Sequence, residues 1–297
     1  MERNVLLYSI VVLLIVLLTI GHSQYVLAHE SIRLLYPRDR SKIRVLSPKD
    51  VDKAKDGKAK NRAPIPDLSK PNKWAVVIGI ADYEGKDNDL WHPDEDAKEM
   101  YYVLINIYGF ARDHIILLTN RKATASAILN AIDWLLKWGS ETSLAVFFYS
   151  GHGYNASEEV TSAYGYPIDE LDRVDERIVS YDLYAIPDDL LSAKLSQLDL
   201  DSENVFLWFE NCISGGMNDI YRALYVKAKT VILTATCQEA QLSYDVLQLE
   251  NTLFSYYYVD EGMKRGIADG YGNGVMDGIV TVEEAFYYAN YYVNYFA

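Results

Sequence analysis

The strongest constraint on this chain is a series of short apolar runs rich in β-branched and aromatic residues. They fall at 73–80 (KWAVVIGI), 114–119 (HIILLT), 144–150 (LAVFFYS), 205–209 (VFLWF) and 230–235 (TVILTA). Each is nearly continuous rather than alternating, the pattern of a parallel strand buried on both faces. Helical spacing separates them. Residues 94–108 place Met100, Tyr101, Leu104 and Ile107 on one side, ending at Gly109. Thr124 caps a second helix with Ile128, Ile132 and Leu135 or Leu136 inward, ending at Gly139. A third helix is expected over 188–198. Alternating elements of this kind predict an α/β fold, a mostly parallel sheet with helices on both faces. The carboxyl edge of such a sheet is where chemistry is expected.

Ahead of that pattern lie two segments of different character. Val5 to Ile20 is 16 residues broken only by Tyr8, Ser9 and Thr19, with Arg3 before it and Gly21, Ser23 and Ala28 after it. That is the form of a signal peptide or membrane anchor over 1–28, which puts the rest of the chain outside the cytoplasm, secreted or held by this helix. Residues 29–72 are basic, poor in aromatics and marked by Pro37, Pro48, Pro64, Pro66 and Pro71, and read as a flexible linker or propeptide. About 225 residues from position 73 remain for one domain, 73–297.

Charge divides the chain the same way. Residues 1–73 hold 14 Lys and Arg against 7 Asp and Glu, leaving 14 against 35 for residues 74–297, a net of −21. Such a domain repels a phosphate backbone, so nucleic acid is excluded as a partner, and basic peptides or Ca²⁺ are favoured. Any contact with a membrane rests on the N-terminal helix alone. Two cysteines rule out a disulfide framework and a four-cysteine metal site.

Two of the strands run directly into reactive side chains. The third leads into Gly151-His152-Gly153 and the fourth into Glu210-Asn211-Cys212-Ile213-Ser214-Gly215. If these strands are neighbours, His152 and Cys212 share one cleft, with glycines that admit a peptide backbone and free main-chain N–H groups. Cys212 would be the nucleophile and His152 its general acid/base, with the Gly153 and Cys212 N–H groups as oxyanion donors. No organic cofactor is required.

These boxes, Tyr149-Ser-Gly-His-Gly153 and Glu210-x-Cys-x-Ser-Gly215, resemble those of the caspase-like cysteine peptidases, nearest to metacaspases and their prokaryotic relatives. The resemblance takes in WAVVIGI-ADY, the Asp96-Ala97 pair and Ala123-Thr124. It implies peptide-bond hydrolysis through a thioester acyl-enzyme. By resemblance Glu210, legumain-like in replacing Asp, lines the S1 pocket and favours Arg or Lys at P1 if other acids converge. Asn at P1, as in a legumain- or transamidase-like enzyme, is the alternative. An inactive caspase-like module binding peptide or Ca²⁺ is another. The resemblance also implies an activating Ca²⁺ site on Asp172, Asp188, Asp189 and Asp219.

The C-terminal stretch 269–284 (DGYGNGVMDGIVTVEE) offers a second Ca²⁺ candidate, because Asp277 to Glu284 matches the later half of an EF-hand loop. Its first half puts Val275 where an oxygen ligand belongs, so the loop is degenerate; the plain reading is a Gly-rich turn with Thr281 capping the last helix. Cys237 is either a packed thiol or a partner able to lock Cys212 as a disulfide. The tail Tyr287, Tyr288, Tyr291, Tyr292, Tyr295 and Phe296 spaces as a helix face covering the core.

Overall fold

The computed structural model describes residues 31–47, 50–51, 66–139, 144–156, 175–198, 204–225, 230–238 and 241–294. In chain order the elements are β1 Ile32–Leu34, β2 Arg44–Val45, β3 Lys73–Gly79, α1 Pro93–Asn106, β4 Ile115–Thr119, α2 Ala125–Gly139 and β5 Leu144–Ser150. There follow β6 Gly153–Ala156, β7 Asp175–Val179, β8 Tyr184–Pro187, α3 Asp188–Leu195, β9 Asn204–Glu210, α4 Asn218–Tyr225 and β10 Thr230–Ala235. The chain continues through β11 Tyr244–Val246, β12 Asn251–Thr252, α5 Leu253–Ser255 with a π-helical extension Tyr256–Lys264, and α6 Val282–Val293.

The five apolar runs form one sheet in the order β10-β9-β5-β3-β4, every pair parallel. Alternate side chains go to opposite layers, as the strand period requires. Trp74, Val76, Ile78, Phe147, Tyr149, Leu207 and Phe209 pack with Ile128, Ile132 and Leu135 of α2. Val77, Val146, Phe148, Phe206 and Trp208 pack on the other face with Met100, Leu104, Tyr258 and Tyr288. Both faces are covered, as the continuous apolar runs demand. Each of these large buried side chains contributes roughly 1.5–3 kcal/mol of transfer free energy.

Two small sheets flank the carboxyl edge: β2-β8-β7-β6 and β1-β11-β12. Their presence corrects the reading of 29–72 as a flexible linker, at least over residues 31–47 and 50–51. β1 pairs antiparallel with β11 and β2 parallel with β8, while Leu35 and Leu46 are 0% and 2% exposed. Composition misled because a three-residue strand needs only backbone donors and two apolar anchors, whatever the charge of the whole segment. The 1–28 segment lies outside the described residues, among which no helix is long and apolar enough to cross a membrane.

The Ca²⁺ candidates Asp277 and Glu284 both have main-chain partners in this turn. Both Glu284 oxygens are taken by main-chain amides, Gly270 N–H at 2.9 Å and Thr281 N–H at 2.8 Å. Thr281 returns a bond to the Glu284 amide, a complete capping box for α6. Gly274 crosses so closely that an added Cβ would stand 1.9 Å from Glu284 Oε1. Asp277 Oδ1 accepts from Ile279 N–H, and Asp269 accepts from the amides of Asp277 and Gly278. The carboxylates serve the turn. Thr281→Ala should cost about 1 kcal/mol and Glu284→Ala about 1–3 kcal/mol in thermal unfolding, because buried amides lose their acceptors. Both losses should be identical in EGTA and in Ca²⁺; a Ca²⁺-dependent difference would restore the metal reading.

Candidate active site

β5 and β9 are adjacent, with Ser150 opposite Glu210. The pairing extends one residue further, Gly151 N–H donating to the Glu210 carbonyl at 3.1 Å. Two residues beyond each strand end stand His152 and Cys212, 1% and 0% exposed. Gly153 packs so tightly on this turn that a Cβ would lie 2.0 Å from the Cys212 carbonyl oxygen. Glycine is required there by close approach.

His152 is held from several sides. Its N–H donates to the Tyr83 hydroxyl at 2.8 Å, and the Tyr83 ring lies 4.7 Å from the imidazole. Its carbonyl accepts from Val179 N–H and stands 2.9 Å from the Tyr149 hydroxyl. Ring Nε2 is 2.7 Å from the Asn88 carbonyl. A carbonyl only accepts, so Nε2 carries the proton and Nδ1 keeps a lone pair. Nδ1 is buried without a hydrogen-bond partner. Burial drives the imidazole pKa down to about 4, against smaller opposing effects of the Asn88 and Leu35 backbone.

The Cys212 sulfur accepts from Ser243 N–H at 3.2 Å and lies 3.5 Å from the Ser243 carbonyl. Burial pushes the thiol far up, so thiol and imidazole are both neutral here. Cys237 is likewise a free thiol, its sulfur near the carbonyls of Asn211 and Gln241.

The cover over this pair is the chain itself. Leu35 takes the Gly153 N–H on its carbonyl at 2.8 Å and gives its own N–H to the Ser243 carbonyl at 3.0 Å. The Leu35 backbone also influences the ionisation of both His152 and Cys212.

Glu210 is fully buried, accepting from Ser243 Oγ at 2.7 Å and Ser255 Oγ at 3.2 Å. Burial, and then the neighbouring Asp96, push its pKa up to about 8. Asp96 sits buried in the first turn of α1 and is raised to about 7, again by burial. It accepts from Ser150 Oγ, Thr252 Oγ1, Thr252 N–H and Asn251 Nδ2. Asp188 and Asp189 lie buried in the first turn of α3, and Asp189 N–H donates to Asp188 Oδ1. α3 packs against α4, the helix that carries Asp219. Asp172 lies outside the described residues.

Sequence reasoning assigned no role to Tyr83, Asn88, Asp96, Ser243, Ser255 or Leu35. Asp96 alone left a signal, in the Asp96-Ala97 pair that opens α1. The others act through hydroxyl or main-chain groups that no spacing announces.

Among known proteins, the chain is similar to metacaspase-1 of Candida albicans, 33% identical over 158 residues, covering 50% of this chain and 34% of that protein. Metacaspase-3 of Arabidopsis thaliana is 33% identical over 116 residues, covering 37% of this chain and 30% of that one. The chain thus spans about a third of the length of these relatives. A crystal structure of a protein from Geobacter sulfurreducens shares the fold, with TM-score 0.51 and 24% identity, covering 66% of this chain and 83% of that one. The model of the caspase domain matches residues 72–257. With that match spanning the whole parallel sheet and both reactive turns, the chain belongs to the caspase domain family.

Proposed function

We propose that the protein is a cysteine endopeptidase with Cys212 as nucleophile and His152 as general acid/base. The observation that carries this reading is the peptide carbonyl of Leu35 on the Gly153 N–H, with Cys212 and His152 beside it. A substrate carbonyl in that seat meets Sγ, and the thiol proton passes to the lone pair of His152 Nδ1. The C–S bond forms while the carbonyl oxygen, now anionic, is held by the Gly153 N–H with the Cys212 N–H as second donor. The imidazolium is steadied by its Nε2–H bond to the Asn88 carbonyl. It returns the proton to the departing amine as the C–N bond breaks. Water then cleaves the thioester, releasing the acid and the free thiol. Cys212→Ala and His152→Ala should each remove peptide hydrolysis by at least about a thousandfold. Retained cleavage in Cys212→Ala, measured with fluorogenic peptides, would end this reading.

For P1 the reading is Arg or Lys. Glu210 and Asp96 are two buried acids, Asp96 close enough to raise Glu210, and a cation beside Glu210 would relieve that repulsion. Asp96 already accepts from four donors, so direct contact with the substrate falls to Glu210. Binding a P1 cation favours the ionised acids, so affinity should rise with pH up to about 8, by at most about tenfold per unit for each proton released. Below that pH a protonated Glu210 offers one donor and one acceptor, which suits an Asn amide. The ratio of kcat/KM for P1 Arg over P1 Asn should therefore climb between pH 6 and 9; a flat ratio would remove Glu210 from the pocket. The sign for stability is opposite. Acids raised in the folded state stabilise it while protonated, so the melting temperature should fall as pH rises from 5 through 8, less steeply in Glu210→Gln.

Calcium activation is part of the same proposal. Asp188 and Asp189 are buried oxygen donors on a helix packed against the one that bears Asp219. Among the described residues no group of three or more His, Cys, Asp or Glu stands close enough to hold a metal, so Asp172 and Asp219 would have to complete the set. A Ca²⁺ ion bound there would offset like charge around α3. EGTA should suppress hydrolysis and added Ca²⁺ restore it; full activity in EGTA would exclude this role.

A further inference from the structure

The strand over the cleft lies as a substrate would. β1 pairs Ile32 with Val246, Arg33 with Asp245 and Leu34 with Tyr244, antiparallel. The ladder continues at both ends, Leu247 N–H to the Ser31 carbonyl and Leu35 N–H to the Ser243 carbonyl, each 3.0 Å. It then delivers the Leu35 carbonyl to Gly153 N–H. Main-chain pairing upstream and a carbonyl on an oxyanion donor at the bond are how an extended peptide is gripped for cleavage. By register Leu35 takes the P1 place, Leu34 P2, Arg33 P3 and Ile32 P4. Tyr36 opens the primed side, its hydroxyl donating to Asn155 Oδ1 at 2.9 Å.

Arg33 occupies a built seat. Its guanidinium carbon lies 4.0 Å from the centre of the Trp91 ring, and Nη1 donates to the Asp89 carbonyl at 2.9 Å. The carboxylates of Asp245 and Asp89 are within electrostatic reach. Asp245 is fully buried and fastened independently of Arg33, by His92 Nδ1 at 2.9 Å and by the Trp91 and His92 amides. Arg33 Nε has no hydrogen-bond partner, so the seat grips a charge over a ring face, not a guanidinium fork.

Resting on the peptidase reading above, we infer that Trp91, the Asp89 carbonyl and Asp245 form an S3 subsite selective for a cationic P3 residue, which β1 fills until a substrate displaces it. Leu35 brings no cation to the Arg- or Lys-selective P1 pocket proposed above, so on that reading the occupant holds the cleft without offering a good bond for cleavage.

The test uses the full-length protein, with fluorogenic tetrapeptides that share P1 Arg and differ only at P3. kcat/KM for P3 Arg should exceed that for P3 Glu by about tenfold or more, and Trp91→Ala should shrink that ratio several-fold. Equal values for P3 Arg, Ala and Glu would overturn the subsite. The second measurement needs no turnover: iodoacetamide labelling of Cys212, followed by mass spectrometry with Cys237 as internal reference. Arg33→Glu should release β1 and speed Cys212 labelling several-fold over wild type. An unchanged rate would overturn the occupancy. Faster labelling with no peptide cleaved would instead sink the peptidase reading while leaving the seat for the strand in place.

Discussion

The register between β5 and β9 is the contact on which the rest of the structure depends. Ser150 opposite Glu210 means that the two chains leave the sheet at the same level, and the bond from Gly151 N–H to the Glu210 carbonyl holds them together one residue further. A slip of one residue would send every core side chain of β9 to the wrong face and carry Cys212 out of the cleft. Aromatic packing guards against that slip. Phe147 meets Phe209 on one face and Phe148 meets Trp208 on the other, so each face of the pair carries its own registration mark. The steric limit at Gly153 then fixes the turn to within a methyl group.

Placing a histidine, a thiol and two carboxylates behind this edge has an electrostatic cost. Burial drives all four toward their neutral forms, the imidazole downward and the thiol and acids upward. The fold meets that cost with hydroxyls and amides in place of counter-charges: Ser150 and Thr252 on Asp96, Ser243 and Ser255 on Glu210. Ser243 has three roles at once, because its amide and carbonyl also face the Cys212 sulfur and its carbonyl receives the Leu35 amide. The charge of such a site therefore changes near neutral pH, where both carboxylates titrate.

Much of this was legible beforehand, for identifiable reasons. Strands such as LAVFFYS are continuous because both faces are buried, so their limits could be read to within a residue; β5 and β10 match the apolar runs at both ends. Helix α2 was legible through Thr124, whose hydroxyl accepts from Ala127 N–H. The placing of His152 and Cys212 was legible because each stands two residues past the end of a continuous apolar strand, the histidine between two glycines. Several of the positions that escaped act through groups every residue has. Asn88 and Ser243 contribute carbonyls, and Leu35 contributes a peptide unit, so nothing in their side chains announced them. The C-terminal loop reads two ways, because carboxylates spaced for a cation are equally well spaced for main-chain amides, and Glu284 accepts from two of these.

Charge explains why the N-terminal strand belongs where it lies. The sequence separates a basic leading segment from a domain at −21, which looks like a spacer held away from its neighbour. In the fold that separation becomes attraction, with Arg33 over Trp91 near Asp245, Lys42 paired with Asp87, and Arg44 over Tyr184. Surface pairs of this kind are individually weak, at about 0–1 kcal/mol each. Tethering changes their effect, because a covalently attached strand meets the cleft at a raised effective concentration. A free peptide has to outcompete that local excess, and it can do so only by making contacts the strand lacks. Leu35 leaves one such contact unmade, since it brings no cation toward Glu210. On the proposed P1 preference, an incoming basic residue would bring Glu210 the cation that the chain's own leucine does not.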